Sequence, residues 1–421
     1  MISVEQACAR VGLTAAPADW VERWPQSEGS YRPGSVAFLQ PTFVQAACRA
    51  LGIGPDLEET LAAAAAGVAA DPVLERLACH CHWLLFCSGV DIQARLWPPI
   101  TVAAHPSGPL FYAVVFLSGL PFTERVHRAR GIAPEITSAT LSDLAVWLRE
   151  HKRRYGSGGF RETGWLPFHF QGRLFKLGRL QFLPGQYEHP FRFFRRAADR
   201  SVAGLAADEL LFREDGQFAS ADGGRVRDAL WRSSFAVDDK AFRGHPVTPE
   251  GRVQRQTVEL RRTEWVEILR RGDPVMTVHI AATGPLDPDA CRASFRQAVV
   301  FFGTHFPDWH YRAFTCDSWL LDPQMERLVP PPARIVAFQR EWFLHPVAGA
   351  ADGQTLERVF TVLDGRPPAL GDLPQTTSLQ CAMVAFMRAG GRFRMGGSVL
   401  FPEDLDGAPG VYRAPGPANR M

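Results

Sequence analysis

A chain of 421 residues, 46% apolar and 21% charged, is too long for one ordinary core and too apolar for disorder, so two or three domains are expected. Its formal net charge of +2 provides no long-range field, which excludes recruitment of nucleic acid or an anionic membrane by bulk electrostatics. The first residues lack a basic, apolar leader pattern, and the longest apolar run, 110–120, falls short of the ~20 residues that span a bilayer. With eight irregularly spaced cysteines, this predicts a soluble cytoplasmic protein with reduced thiols and no membrane segment.

The first 155 residues are expected to form a mostly helical domain. Apolar periodicity predicts helices over 4–11, 42–51, 57–70, 73–87 and 136–150, the last with Leu141, Leu144, Ala145 and Leu148 on one face. Lys152, Arg153 and Arg154 follow at its carboxyl end, where cations complement the helix dipole. Cys79-His80-Cys81-His82 with Cys87 suggests zinc at first sight, but i and i+2 diverge on a helix and no second ligand pair follows, so no metal is expected. Residues 156–262 are strand-rich and either connect the domains or complete the first. Gly178, between two strand-like runs, marks a bulge or a close backbone approach in a hairpin, and Asp222-Gly223-Gly224 marks a turn. In Phe191-Arg192-Phe193-Phe194-Arg195-Arg196 the cations are expected on a solvated strand face.

From 263 to 403 the pattern is α/β, after a short helix over 263–271. A strand over 274–281 precedes a helix over 287–302, with Asp287 as N-cap, Pro288 in the first turn and Cys291, Phe295, Ala298 and Phe302 on one stripe. A strand over 309–316 completes a βαβ unit, whose strands should be parallel. A strand over 334–344, a helix opened by the capping box at Thr377 and Gln380, and a strand over 392–401 follow. The tail, 404–421, is expected to be disordered.

Val278-His279-Ile280-Ala281 with Gly284-Pro285-Leu286, Cys316-Asp317-Ser318-Trp319-Leu320-Leu321-Asp322-Pro323, and Phe338-Gln339 resemble the signature of a bacterial family of proteins labelled acyltransferases. That family pairs a helical N-acyltransferase N-terminal domain with a GNAT-like C-terminal domain. Leu174-Phe175-Lys176-Leu177-Gly178-Arg179-Leu180-Gln181-Phe182 resembles a segment of the N-terminal part. The resemblance implies transfer of an acyl group from a thioester, acyl-CoA in the first instance, to a small-molecule or peptide amine. It implies a mixed sheet in which the donor's pantetheine arm lies between two splayed parallel strands.

Ligands of open α/β sheets sit beyond the carboxyl ends of the strands, which brings forward His279 as a general base. Cys316 is a covalent acyl carrier if His279 lowers its pKa, or else a small buried hydrophobe. Ser318 is either an oxyanion donor or a helix cap. Ile280, Ala281, Gly284, Leu286 and Arg292 are the expected donor-binding positions, with Arg296 beside them. Arg179 is weighed as a ligand contact and Glu341 as an alternative base. The loop 281–289 nonetheless departs from the usual GNAT pyrophosphate loop: it has one glycine, two prolines without N–H groups, and carboxylates at Asp287 and Asp289. Three readings follow: CoA lies differently, the donor is a carrier-protein thioester, or the domain is a non-catalytic binding or scaffold protein. The oligomeric state is left open.

Overall fold

The computed structural model describes residues 2–92, 94–101, 103–221, 230–329, 332–362, 369–407 and 410–413. The chain divides into two units, 1–177 with 281–283, and 178–280 with 284–421. The strand-rich segment from 178 onward thus groups with the second unit, and Asp222-Gly223-Gly224 lies outside the described residues.

The first unit is helical. Its expected helices form as Val4–Arg10, Pro41–Ala50, Pro55–Ala69 and Pro72–Phe86. The one expected over 136–150 is two helices, Pro134–Leu141 and Asp143–Tyr155, interrupted at Ser142. Arg153 and Arg154 pair with Glu150 at 2.7 and 2.6 Å, and Gly156 closes the helix with a φ of 70°. The apolar Phe111–Leu117 helix is buried throughout, and among the described residues no helix is long and apolar enough to cross a membrane. Of the Cys/His run, His80 Nδ1 lies 2.7 Å from Ser27 Oγ and His82 Nδ1 lies 2.6 Å from Ser118 Oγ. The two rings therefore point to different partners.

The second unit is built on sheets. Leu180–Gln186, Pro274–Ile280, Phe314–Ser318, Arg394–Leu400 and Phe343–Ala350 lie side by side in that order. Pro274–Ile280 and Phe314–Ser318 are parallel, as the βαβ pattern requires, and the other pairings are antiparallel. The intervening helix, Pro288–His305, buries Cys291, Phe295, Ala298 and Phe302. Phe295 meets Phe182, Phe314 and Trp342 with ring centroids 5.1 to 6.0 Å apart. A second, antiparallel sheet contains Val202–Ala206, Phe191–Arg196 and Trp265–Leu269. Tyr187, Phe191, Phe193, Phe343, Val399 and Phe401 belong to one apolar cluster fed by strands of both sheets.

Several expectations are corrected. Residues 263–271 are not helical: Trp265–Leu269 pairs with Phe191–Arg196, and a ladder beside β-branched and aromatic residues outweighs local helix propensity. Residues 334–340 are a helix rather than a strand, with Ile335, Val336, Phe338 and Gln339 buried at helical spacing, and the strand starts at Phe343. The second strand of the βαβ unit starts at Phe314, later than expected. Arg195 is not solvated: it forms a bidentate ion pair with Asp404 at 2.8 and 2.7 Å, and Phe194 on the same strand packs in a further cluster with Phe242. In the described part of the tail, Tyr412 Oη donates to Asp404 at 2.7 Å and Arg413 pairs with Glu326 at 2.7 Å.

Candidate active site

The parallel strand pair sets the geometry. Its ladder comprises Met276↔Phe314 and Thr277↔Thr315. Beyond them Pro274–Ile280 stays paired with Leu180–Gln186 as far as Ile280, and Phe314–Ser318 stays paired with Arg394–Leu400 as far as Ser318. Each strand keeps its outer neighbour while the inner ladder ends, so the two part at their carboxyl ends. Among the described residues the parallel ladder extends no further than Thr277 and Thr315.

Extending the register by two residues sets His279 across from Asp317 on one face, because alternate residues of a strand share a face. Cys316 falls on the other face. The expected pairing of His279 with Cys316 is therefore not formed. Cys316 is buried, the carbonyl of its own residue accepts from Ser398 Oγ at 3.0 Å, and burial together with the Asp317 charge pushes its thiol well above the usual range. Ser318 acts as a cap, its Oγ accepting from the Leu320 N–H at 3.2 Å. His279 is half-buried, with Nε2 3.4 Å from Thr277 Oγ1, and stands directly across from Gln181.

Asp317 is bound by one histidine, with two more in its neighbourhood. His189, on the turn between Leu180–Gln186 and Phe191–Arg196, places Nε2 3.0 and 2.9 Å from the two Asp317 oxygens. Burial raises the Asp317 pKa, but the His189 hydrogen bond, with the electrostatic attraction of the neighbouring imidazoles, outweighs it and holds the carboxyl below its ordinary range. The Asp317 side chain retains 43% of its exposure and His189 18%, so both are reachable from solvent. In the tautomer that donates Nε2–H to the carboxylate, Nδ1 of His189 is a proton acceptor. His345 is fully buried, its ring centroid 4.5 Å from that of His189. Burial pushes the His345 pKa down to about 3, so it is neutral at physiological pH.

The donor-binding positions behave differently. Ala281 groups with the first unit, and Ile280 ends the ladder with Leu180. Gly284 has a φ of 67° and Leu286 is half-buried. Arg179 donates to the carbonyls of Pro285 and Gly284 at 2.8 and 3.0 Å and so braces the loop. Gly178 before it has a φ of 64°, and a Cβ there would lie 2.8 Å from Ser294 Oγ, which accounts for the glycine. The Asp287 carboxylate accepts from the Ala290 N–H at 2.9 Å, so an anion already occupies the helix N-terminus. Arg292 is in a nearly buried ion pair with Glu341 at 2.9 Å and donates to the Gly407 carbonyl at 3.2 Å. Arg296 reaches the Leu405 carbonyl at 3.2 Å.

Sequence reasoning singled out His279 and passed over His189, His345 and Asp317. Asp317 lies within the quoted Cys-Asp-Ser-Trp run, and its position two residues past the last ladder pair is the one signal that pointed to it. His189 and His345 come from turns and strands distant in sequence, and no spacing links them. The second aspartate of that run has another role. The Asp322 carboxylate accepts from the Arg394 N–H at 2.8 Å, and Gln339 Nε2 donates to the Leu320 and Asp322 carbonyls at 2.8 and 2.9 Å. Gln339 thus joins the motif segments into one latch.

Residues 42–172 match the profile of an N-acyltransferase N-terminal domain, and residues 174–400 match that of a GNAT-like C-terminal domain. No curated protein matches. Among solved structures the chain is similar to an acyltransferase in complex with decanoyl-CoA and teicoplanin, with 24% identity over 94% of this chain and 98% of that one, TM-score 0.65. It is also similar to an acyltransferase mutant in complex with octanoyl-CoA, with 23% identity, the same coverage and TM-score 0.65. The agreement extends along nearly the whole length of each. Given two adjoining domain profiles that together span residues 42–400, the chain belongs to the family that joins an N-acyltransferase N-terminal domain to a GNAT-like C-terminal domain.

Proposed function

We propose that the chain transfers an acyl group from acyl-CoA to the amine of a small-molecule acceptor. One observation carries the reading: the parallel ladder ends at Thr277 and Thr315, and the His189–Asp317 pair stands just beyond that point. The parted strands offer backbone amides to an extended, amide-bearing pantetheine arm, as an unpaired sheet edge does to a peptide. The solved structures with octanoyl-CoA and decanoyl-CoA support a medium-chain donor, and the one with teicoplanin supports a bulky, amine-bearing natural product as acceptor.

In the proposed reaction the neutral amine attacks the thioester carbonyl, forming the C–N bond. His189 Nδ1 takes the amine proton, and Asp317 steadies the resulting imidazolium. Collapse of the tetrahedral intermediate breaks the C–S bond, and the thiolate leaves as CoA thiol after protonation. His279, on the same face as Asp317, is the alternative base. Cys316 is assigned no step, because its thiol faces away and is held protonated. All eight cysteines are unpaired, which supports a reducing, cytoplasmic setting. The carboxylate at the helix N-terminus favours a second reading of the donor, a carrier-protein thioester that needs no pyrophosphate seat there.

The test is thiol release from acetyl-, octanoyl- and decanoyl-CoA with a panel of amines that includes teicoplanin, with product mass checked for one added acyl group. Acceptor-dependent thiol release is the expected result. Release with an acylated carrier protein alone would move the donor to the second reading. Absence of turnover with every donor, and of any thermal shift with CoA, would leave a non-catalytic binding protein.

A further inference from the structure

We infer that His345 is a positioning residue that holds the His189 ring in the plane in which Nε2 reaches both oxygens of Asp317. The inference rests on the acyl-transfer reading for its kinetic consequence, though the geometry stands apart from it.

His189 sits on a turn, and its hydrogen bonds to Asp317 come from one edge of the ring. An imidazole on a turn is free to rotate about that edge unless something lies against its face. His345 lies there, centroid to centroid 4.5 Å with planes tilted by 54°, and Tyr187 lies edge-on to both rings at 5.4 and 6.0 Å. His345 itself is held by Nδ1, 3.1 Å from the Pro346 carbonyl, and by Phe191 at 5.0 Å. Its other nitrogen, Nε2, is buried without a hydrogen-bond partner, as is Tyr187 Oη. A residue kept for a hydrogen bond of its own would not leave that atom unused, so its ring face is the contribution that remains.

The neighbouring strand is cut to admit this ring. Gly397 stands across from Asp317 on one side and from His345 on the other. A Cβ at Gly397 would lie 2.2 Å from His345 Cε1, so no side chain fits while the imidazole holds its place. The titratable groups that face His345 are His189 and Asp317, with Tyr187 closing the third side. A neutral ring is the suitable support here. A second cation would compete with His189 for the Asp317 carboxylate, and burial keeps His345 uncharged.

The test compares His345→Phe, which keeps a flat ring, with His345→Leu, which keeps bulk without one. For the Leu variant kcat is expected to fall on the order of 10²-fold while KM for acyl-CoA stays within about threefold, as small misplacements of a catalytic group do. The Phe variant is expected to retain kcat within about threefold of the parent. A Leu variant as fast as the parent, or a Phe variant as slow as the Leu variant, overturns the inference. A second measurement needs no turnover: the proton between His189 and Asp317 should give a downfield nitrogen-bound NMR resonance in the parent and the Phe variant, lost in the Leu variant. If the Leu variant does not fold, loss of the resonance in the Phe variant is the overturning result and its retention the supporting one. If the parent itself catalyses nothing, the acyl-transfer reading fails alone, and the resonance still decides whether His345 positions the pair.

Discussion

The loop 284–289 and the strand end at Asp317 follow the carboxyl ends of the two parallel strands of one βαβ unit, and their polar groups are used in opposite ways. Around the loop the charged groups Arg179, Asp287 and Arg292 are engaged by the protein itself, while Asp289 is exposed. Arg179 braces two carbonyls, Asp287 caps its own helix, and Arg292 is paired with Glu341. At the strand end Asp317 keeps 43% of its exposure, His189 is bonded to it, and the parallel ladder beside it stops. A polar group satisfied inside the fold holds the fold together. One that is held in place yet open to solvent is available for chemistry. On the proposed function the loop is structural and the strand end is where the reaction takes place.

Removing the pair at the strand end should give the largest effect. For His189→Ala and Asp317→Asn, kcat is expected to fall by about 10²- to 10⁴-fold, the usual range for loss of a general base or its partner. That corresponds to roughly 3 to 5 kcal/mol on the barrier. Steady-state kinetics with a saturating acyl-CoA checks it, and the thermal midpoint should barely move because both side chains are partly exposed. Near-normal kcat in both variants, with His279→Ala inactive, would transfer the base role to His279 and break the contrast.

The loop should show the reverse behaviour. Arg292→Met leaves Glu341 nearly buried without its partner, an arrangement expected to cost about 3 to 4 kcal/mol of stability. Urea unfolding measures this, and KM for acyl-CoA is expected to stay within about threefold. A large rise in KM with unchanged stability would show that Arg292 releases Glu341 to meet the donor's phosphates.

Much of this was legible in the sequence, and the division follows the range of the forces involved. The Pro288–His305 helix was readable because its cap, proline and apolar stripe are all local. The strand over 265–269 was misread because its ladder partner is some seventy residues away, at Phe193 to Arg196. The site divides likewise. His279 and the importance of the Cys-Asp-Ser-Trp run could be found from position along a strand. His189 and His345 could not, since His189 reaches Asp317, and His345 reaches His189, through tertiary packing that no spacing encodes.

The two aspartates of that run sharpen the contrast further. Asp317 is held below the ordinary carboxylate range, whereas burial of Asp322, against its hydrogen bonds from Arg394 and Gln324, raises it to about 6. A raised carboxyl contributes stability that is complete below its unfolded pKa, 3.8, and lost as pH climbs through the folded value. The shift of about two units corresponds to roughly 3 kcal/mol at most. Asp322→Asn, which cannot ionise, should therefore gain on the parent by up to that amount between about pH 4 and pH 7. Parallel denaturation curves at both pH values check this; an unchanged difference would mean that Asp322 is ionised throughout without cost.

The smallest effect is expected at Cys316, a position the sequence brought forward for chemistry. Its thiol faces away from His279 and Asp317, lies buried beside Ser398, and is held protonated by burial and by the Asp317 charge. A nucleophilic thiol needs the opposite environment, partly exposed and electropositive. Cys316→Ala should leave kcat within about twofold and lower stability by roughly 1 kcal/mol, as removal of a small buried group does. Intact mass after acyl-CoA addition without acceptor should show no added acyl group. An adduct that disappears in the alanine variant, together with a tenfold or greater loss of kcat at unchanged stability, would require a two-step covalent route. It would also require the Asp317 strand to turn its other face toward the donor, which the ladder with Arg394–Leu400 opposes at every residue from Phe314 to Ser318.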